Sequence, residues 1–249
     1  MEESKDTLLG AGKLSVLALF TVLISCFGLP LLKAVSRKIG IGENVGFWIT
    51  RVLALALIIF LMPKKGMWQY GWCRSLNKGN WKFLVPILLM GVFNIPYLFW
   101  TSGFNSVFVA LFTAGFVGFA EELAFRGYLY RALEIKLGEG KAILISSVVF
   151  GLFHLINLTH APVQDVLLQV LYTFGIGMVF AVVRAKTKSL LWPIVAHAAL
   201  NFVYELTIDE LSVFWLDTIF IVYCAVLAVI YWICYVKDKK REKGSEVCA

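Results

Sequence analysis

The sequence predicts an all-α, polytopic membrane protein. Of its 249 residues 60% are hydrophobic and only 16% are charged, whereas a soluble domain carries about 25% charged residues. The mean hydropathy is +0.81. Apolar runs fill nearly the whole length, and a helix needs about 20 apolar residues to cross the hydrocarbon core. We therefore expect about eight transmembrane helices in a single integral membrane domain, residues 1–249.

The apolar runs define eight candidate spans. In chain order they are Leu14–Leu32, Phe47–Met62, Phe83–Trp100, Val107–Leu137, Ala142–Leu158, Val163–Arg184, Leu190–Leu206 and Val213–Val236. The acidic N-terminus, followed by a run long enough to span, is not typical of a cleavable signal. The fourth candidate exceeds the bilayer thickness and its second half is basic, so we expect it to protrude or bend near Gly127. The Trp- and Lys-rich stretch Trp68–Trp81 is typical of an interfacial helix or loop.

The basic residues indicate the orientation. With the N-terminus in the cytoplasm, most of the 23 Lys and Arg residues fall on the cytoplasmic side, as the positive-inside rule requires. Both termini are then cytoplasmic. The basic tail, residues 237–249, follows the last span directly and is placed to contact anionic lipid. The net charge of +7 is thus a topology signal, and we expect no nucleic-acid partner.

The five cysteines indicate neither a disulfide framework nor a thiolate metal site. They are odd in number, scattered, and form no CxxC pair, which is the spacing that such sites use. The ending Val247-Cys248-Ala249 is not a CaaX box, because that motif needs cysteine fourth from the end.

Three charged residues interrupt the apolar fourth span: Glu121, Glu122 and Arg126. An ionised group near the bilayer centre costs about 2.5 to 3.5 kcal/mol, so a functional role is the default hypothesis. Glu122 and Arg126 are four apart, share a helix face, and are predicted to form a structural ion pair. Glu121 is turned about 100° from Glu122 and is free to face a cavity.

Two further polar motifs lie in other spans. The first is His154, which follows Phe150 by four residues, and the second is His197 with Asn201, four apart on one helix face. Counting about 1.5 Å of rise per residue from the cytoplasmic helix ends allows these side chains and Glu121 to reach a similar depth. The sequence therefore predicts a shared polar site at mid-membrane.

The chemistry open to these residues is narrow, because no serine or cysteine nucleophile and no phosphate loop accompanies them. A carboxylate with histidines can activate water as a general base, and an imidazole or amide donor can stabilise an oxyanion. Alternatively, Glu121, His154 and His197 could form a three-ligand catalytic zinc site. Both routes predict hydrolysis of a carbonyl compound, a peptide or an ester.

Together the three motifs resemble those of a known family. The segment Glu121–Gly127 is similar to an EExxFRG signature, Phe150–His154 to an FxxxH motif and His197–Asn201 to an HxxxN motif. These are the motifs of the CPBP family of intramembrane proteases, also called Abi or CAAX-protease-like. The family includes type II CAAX prenyl endopeptidases and bacterial bacteriocin-processing or self-immunity proteins. The resemblance covers roughly residues 80–210, in the family's order and spacing.

The resemblance implies an eight-helix fold with a mid-membrane polar cavity and a catalytic core over residues 80–210. It implies that Glu121 and His154 activate water to cleave a peptide or protein substrate, including prenylated ones. It also implies that His197 and Asn201 form the oxyanion site. The bacterial branch of the family and the compact length favour a bacterial plasma membrane.

For both the cofactor and the function, the sequence leaves an alternative interpretation open. Members of this family have been described both as metalloproteases and as metal-free glutamate proteases. The absence of an HExxH pair favours no cofactor, with zinc as the alternative. A non-catalytic peptide-binding immunity protein would use the same cavity. An ion-coupled transporter could use Glu121 and the histidines as a relay, but the sequence has no evident inverted repeat.

Overall fold

The protein is helical apart from short connections in the part that the structure, a computed structural model, describes: residues 4–25, 29–40, 42–62, 81–90, 107–206 and 214–247. No strand occurs among these residues. The α-helices are α1 (Ser4–Leu23), α2 (Leu29–Lys38), α3 (Glu43–Leu61), α4 (Trp81–Met90), α5 (Val107–Glu122), α6 (Tyr130–Leu137), α7 (Glu139–Phe153), α8 (Val163–Thr187), α9 (Leu191–Leu206) and α10 (Phe214–Val247). A π-helical segment, Leu123–Leu129, joins α5 to α6, and a 3₁₀ helix, His154–Thr159, follows α7.

The lengths and apolar surfaces of these helices confirm a polytopic membrane protein. Among the described residues, four stretches are long and apolar enough to cross a bilayer: Val107–Leu137, Glu139–Thr159, Val163–Thr187 and Thr218–Glu242. Three shorter apolar helices cover Gly10–Leu23, Val45–Leu61 and Leu191–Phe202. Large apolar side chains face outward, with Phe60 and Phe108 each 79% exposed. Such surfaces suit contact with lipid.

The first predicted span, Leu14–Leu32, is wrong in its bounds. Helix α1 already begins at Ser4 and ends at Leu23, and Leu29–Lys38 forms the separate helix α2. Pro30 explains the division, because proline cannot continue a helix but is tolerated in its first turn.

The last helix is longer than predicted. It continues past the predicted end at Val236 to Val247, so the predicted basic tail is helical up to that residue. An ion pair between Lys239 and Glu242, 2.8 Å long, supports these added turns, as side chains three apart face each other on a helix. The third predicted span is described only up to Met90, and most of the predicted interfacial stretch Trp68–Trp81 lies outside the described residues.

Helix α8 lies at the centre of the bundle. Every residue from Gly175 to Ala185 is buried, and a helix that is buried on all sides must be surrounded by others. Its neighbours include α7 and α10. Close packing with α10 depends on Gly175, where a Cβ atom would lie 3.2 Å from the carbonyl oxygen of Cys224.

One end of the bundle is held together by ion pairs. Lys188, just after α8, lies 2.6 Å from Glu139 at the start of α7. Lys186 lies 2.6 Å from Asp238 of α10, and Lys239 lies 3.3 Å from Glu139. The start of α7, the end of α8 and the C-terminal part of α10 therefore meet at the same end.

Candidate active site

The glutamate pair directly precedes a distortion of the longest apolar stretch. From Leu123 to Leu129 the backbone is π-helical, and this segment carries Arg126 and Gly127. The predicted irregularity near Gly127 is therefore a widened turn within the stretch. A Cβ atom at Gly127 would lie 3.1 Å from Leu123 Cδ1 and 3.4 Å from Leu190 Cδ2, so this position packs closely. Short π-helical segments are frequent at functional sites.

The predicted contact between Glu122 and Arg126 is present. Arg126 Nη1 donates to Glu122 Oε1 over 2.8 Å, and both side chains are fully buried. In the described part of the chain, Arg126 Nε and Nη2 have no hydrogen-bond acceptor. Its guanidinium instead lies 4.0 Å from the ring centroid of Phe150 and 5.5 Å from that of Phe180. These cation–π contacts offset part of the cost of burying the charge.

Glu122 has a second partner that the helix spacing did not predict. His197 Nδ1 lies 2.9 Å from the same oxygen, Oε1, of Glu122. An ionised carboxylate only accepts hydrogen bonds, so Nδ1 carries the hydrogen and donates it. One buried carboxylate oxygen thus joins the first motif on α5 to the third motif on α9.

The other nitrogen of His197 faces Glu121. Its Nε2 atom lies 3.8 Å from Glu121 Oε2, and the Glu121 side chain is 18% exposed. This distance is longer than a direct hydrogen bond, and a water molecule or a substrate oxygen can bridge such a gap. His197 therefore lies between two adjacent carboxylates, one fully buried and one accessible.

A close approach of two helices brings these groups together. A Cβ atom at Gly118 would lie only 2.9 Å from the backbone nitrogen of Ala198 and 3.2 Å from the carbonyl oxygen of Ile194. Gly118 is less than one turn from Glu121, and Ala198 follows His197 directly. A residue without a side chain at this crossing allows α5 and α9 to pack closely enough for the two motifs to meet.

His154 comes to the same place from α7. Its Nδ1 lies 2.9 Å from the carbonyl oxygen of Phe150; a carbonyl only accepts, so Nδ1 donates. In the neutral ring, Nε2 then keeps the lone pair that can accept a proton. The Phe150 ring stands edge to face with both His154 and His197, at centroid distances of 5.1 and 6.0 Å.

Asn201 lies one turn beyond His197 on α9 and is half-buried. Residues four apart on a helix share a face, so its carboxamide is on the side of His197. No hydrogen bond joins this carboxamide to another of the described residues.

The zinc alternative requires Glu121, His154 and His197 to be grouped around one ion. Among the described residues, no three His, Cys, Asp or Glu side chains are grouped closely enough to hold a metal ion. The three side chains are therefore not arranged as a three-ligand site.

The three motifs of the site lie within a segment that matches a protein-family model. Residues 103–203 match the family model described as type II CAAX prenyl endopeptidase Rce1-like. Over this segment the chain is similar to the Rce1-like CAAX prenyl endopeptidases. The matched segment includes all three motifs, from Glu121 to Asn201. No curated protein sequence matches the chain.

Some residues of the site could not be predicted from the spacing of the motifs. Phe180 of α8 packs against His197 with a centroid distance of 5.8 Å, and it also faces Arg126. Nothing in an apolar helix distinguishes this phenylalanine from its neighbours. Gly177 does carry a signal, because the glycines Gly175 and Gly177 within a span predict close helix packing. A Cβ atom there would lie 3.2 Å from Arg126 Nη2 and 3.3 Å from Phe150 Cδ1.

Proposed function

We propose that this protein is an intramembrane endopeptidase in which Glu121 and His154 activate the attacking water. The observation that carries the proposal is the 3.8 Å separation of Glu121 Oε2 from His197 Nε2. It places an accessible carboxylate beside a potential hydrogen-bond donor among apolar helices. The similarity of residues 103–203 to Rce1-like CAAX prenyl endopeptidases supports peptide hydrolysis as the reaction.

Water activation is assigned to the two groups that can accept a proton. Glu121 is the more accessible of the two adjacent carboxylates, whereas Glu122 is engaged by Arg126 and His197. His154 offers Nε2, because Nδ1 is held by the Phe150 carbonyl. The water gives a proton to this pair as its oxygen bonds to the carbonyl carbon, and the carbonyl electron pair moves to oxygen. When the C–N bond breaks, the proton passes to the leaving nitrogen.

The oxyanion is assigned to His197 and Asn201. A donor aimed at the developing negative charge stabilises the tetrahedral intermediate. Because Glu122 holds Nδ1–H, His197 can donate only from Nε2. The Asn201 amide supplies a second donor from the same helix face.

For the substrate, we propose a membrane-embedded peptide, and a prenylated C-terminal peptide is the first to test. The family description names prenyl endopeptidases. The stretches that carry Glu121 and His154 are also long and apolar enough to cross the bilayer, which suits a substrate bearing a lipid chain. Processing of a bacteriocin leader or another signal peptide, with an associated role in immunity, is the second substrate class.

The decisive experiment measures cleavage of an internally quenched farnesylated CAAX-type peptide by the purified protein in detergent. Glu121→Gln and His154→Ala should each lower kcat/KM by about 100-fold or more, the usual contribution of a general base. His160→Ala is the matched control, because His160 is exposed and should leave the rate unchanged. Thermal unfolding of each variant checks folding. Full activity in both site variants would overturn the assignment, and tight binding of uncut peptide by the unaltered protein would favour the non-catalytic alternative.

Chelation tests the metal-free mechanism on the same assay. We expect 1,10-phenanthroline and EDTA to leave the rate unchanged, because no proposed step uses a metal. Loss of activity that added zinc restores would instead support the alternative with Glu121, His154 and His197 as ligands.

A further inference from the structure

A groove of about 400 Å³ lies between α4 and α10, away from the catalytic motifs. Its apolar part is lined by Leu227, Ile230 and Tyr231 of α10 and by Pro86 of α4. The two helices are joined beside it by a hydrogen bond of 3.0 Å from the Tyr223 hydroxyl to the Pro86 carbonyl oxygen. This volume lies in the range of pockets that hold small molecules.

One end of the groove is cationic. Lys237, Asp238 and Arg241 line it, but Asp238 is engaged by Lys186 at 2.6 Å. Lys237 and Arg241 are exposed, and within the described helices neither side chain has a carboxylate partner. They are four residues apart and so project from one face of α10. Two positive charges that have no carboxylate partner among the described residues therefore border an apolar groove.

We propose that this groove binds one anionic phospholipid, with its phosphate at Lys237 and Arg241 and an acyl chain along Leu227 and Ile230. The order of apolar and cationic residues along α10 matches the order of chain and headgroup in such a lipid. Ten residues separate Leu227 from Lys237, a rise of about 15 Å. That equals half of the roughly 30 Å hydrocarbon core, the thickness that one acyl chain occupies.

Charge selects the class of lipid. A zwitterionic headgroup brings a positive choline or ethanolamine group close to Lys237 and Arg241, whereas phosphatidylglycerol brings a net negative charge. Each Lys or Arg near a membrane surface favours anionic lipid. This inference is independent of the proposed protease function, because none of the motif residues lines the groove.

The test counts lipids retained by the purified full-length protein in native mass spectrometry, using phosphatidylglycerol and phosphatidylcholine with identical acyl chains. We expect one phosphatidylglycerol to bind more tightly than phosphatidylcholine. The double variant Lys237→Gln/Arg241→Gln should weaken its binding by about 30-fold, the loss expected for two cationic contacts. The matched control is Lys240→Gln, since Lys240 is exposed and does not line the groove.

A second readout follows occupancy through Cys234, which also lines the groove and is half-buried. Bound phosphatidylglycerol should slow the alkylation of Cys234 by a maleimide, which peptide mass spectrometry measures. Ile230→Trp should abolish this protection, because the larger side chain fills the apolar part of the groove. Glycerol phosphate, which has no acyl chain, should not protect Cys234.

The proposal is overturned if the two lipids are retained equally, or if the folded double variant binds phosphatidylglycerol as well as the unaltered protein does. It is also overturned if a prenylated peptide displaces the lipid, because the groove would then belong to the substrate. Thermal unfolding establishes that each variant is folded.

Discussion

At the scale of single residues, Glu122 is the group on which the site depends. Its Oε1 atom accepts from both Arg126 and His197, at 2.8 and 2.9 Å. The first contact follows from the four-residue spacing and was predicted. The second crosses between helices, and no pattern along one helix encodes it. The sequence could therefore indicate the ion pair, but not that the same carboxylate also orients a histidine.

Removing one partner of this buried pair should be far more costly than removing both. Glu122→Gln leaves the fully buried Arg126 without a counter-charge, and breaking such a pair typically costs about 3 to 5 kcal/mol. In Glu122→Gln/Arg126→Met no uncompensated charge remains, so most of the lost stability should return. Unfolding of both variants in the same detergent measures the difference. If Glu122→Gln is no less stable than Glu122→Gln/Arg126→Met, the ion pair contributes little to the free energy of unfolding.

At the scale of helices, the crossing of α5 and α9 positions the site. Gly118→Ala would place a Cβ atom 2.9 Å from the Ala198 backbone nitrogen, and neither backbone can move without separating Glu121 from His197. We expect a loss of about 1 to 3 kcal/mol, as for other overpacked positions, together with a reduced kcat. Unfolding and peptide cleavage measure the two effects.

Gly115 provides the matched control for that substitution. It lies on the same helix, and a Cβ atom there would have no neighbour within 4 Å. Gly115→Ala should therefore keep full activity and gain up to about 1 kcal/mol from the better helix propensity of alanine. If the two variants behave alike, the close approach at Gly118 does not position the site.

The helices also show how far apolar patterning predicts the fold. The fourth predicted span ends at Leu137, as it does in the structure. Gly138, with a φ of 85°, follows there, and glycine is a strong signal for the end of a helix. The division at Pro30 was missed because hydrophobicity alone was counted there. No spacing of apolar residues along the sequence distinguishes the π-helical backbone after Glu122 from an α-helix. Only Gly127 and the length of the fourth span, which exceeds the bilayer thickness, indicated an irregularity.

At the scale of the whole molecule, the ion pairs indicate which helix ends lie together. Lys188 with Glu139 and Lys186 with Asp238 bring the basic ends of α8 and α10 to the start of α7. The sequence had assigned these same segments to the cytoplasm from their charge alone. Because the segments share one end in the structure, a single orientation can satisfy the positive-inside rule for all of them.

We propose that this basic end faces the cytoplasm, and reporter fusions test it. Green fluorescent protein fused after Ala249 should fluoresce, and alkaline phosphatase at the same position should be inactive, because that enzyme needs an oxidising compartment to form its disulfides. Alkaline phosphatase inserted after His160, in the connection between α7 and α8, should be active. The opposite pattern would place the basic end outside, in conflict with the charge distribution. Glu121 would then be reached from the other side of the membrane.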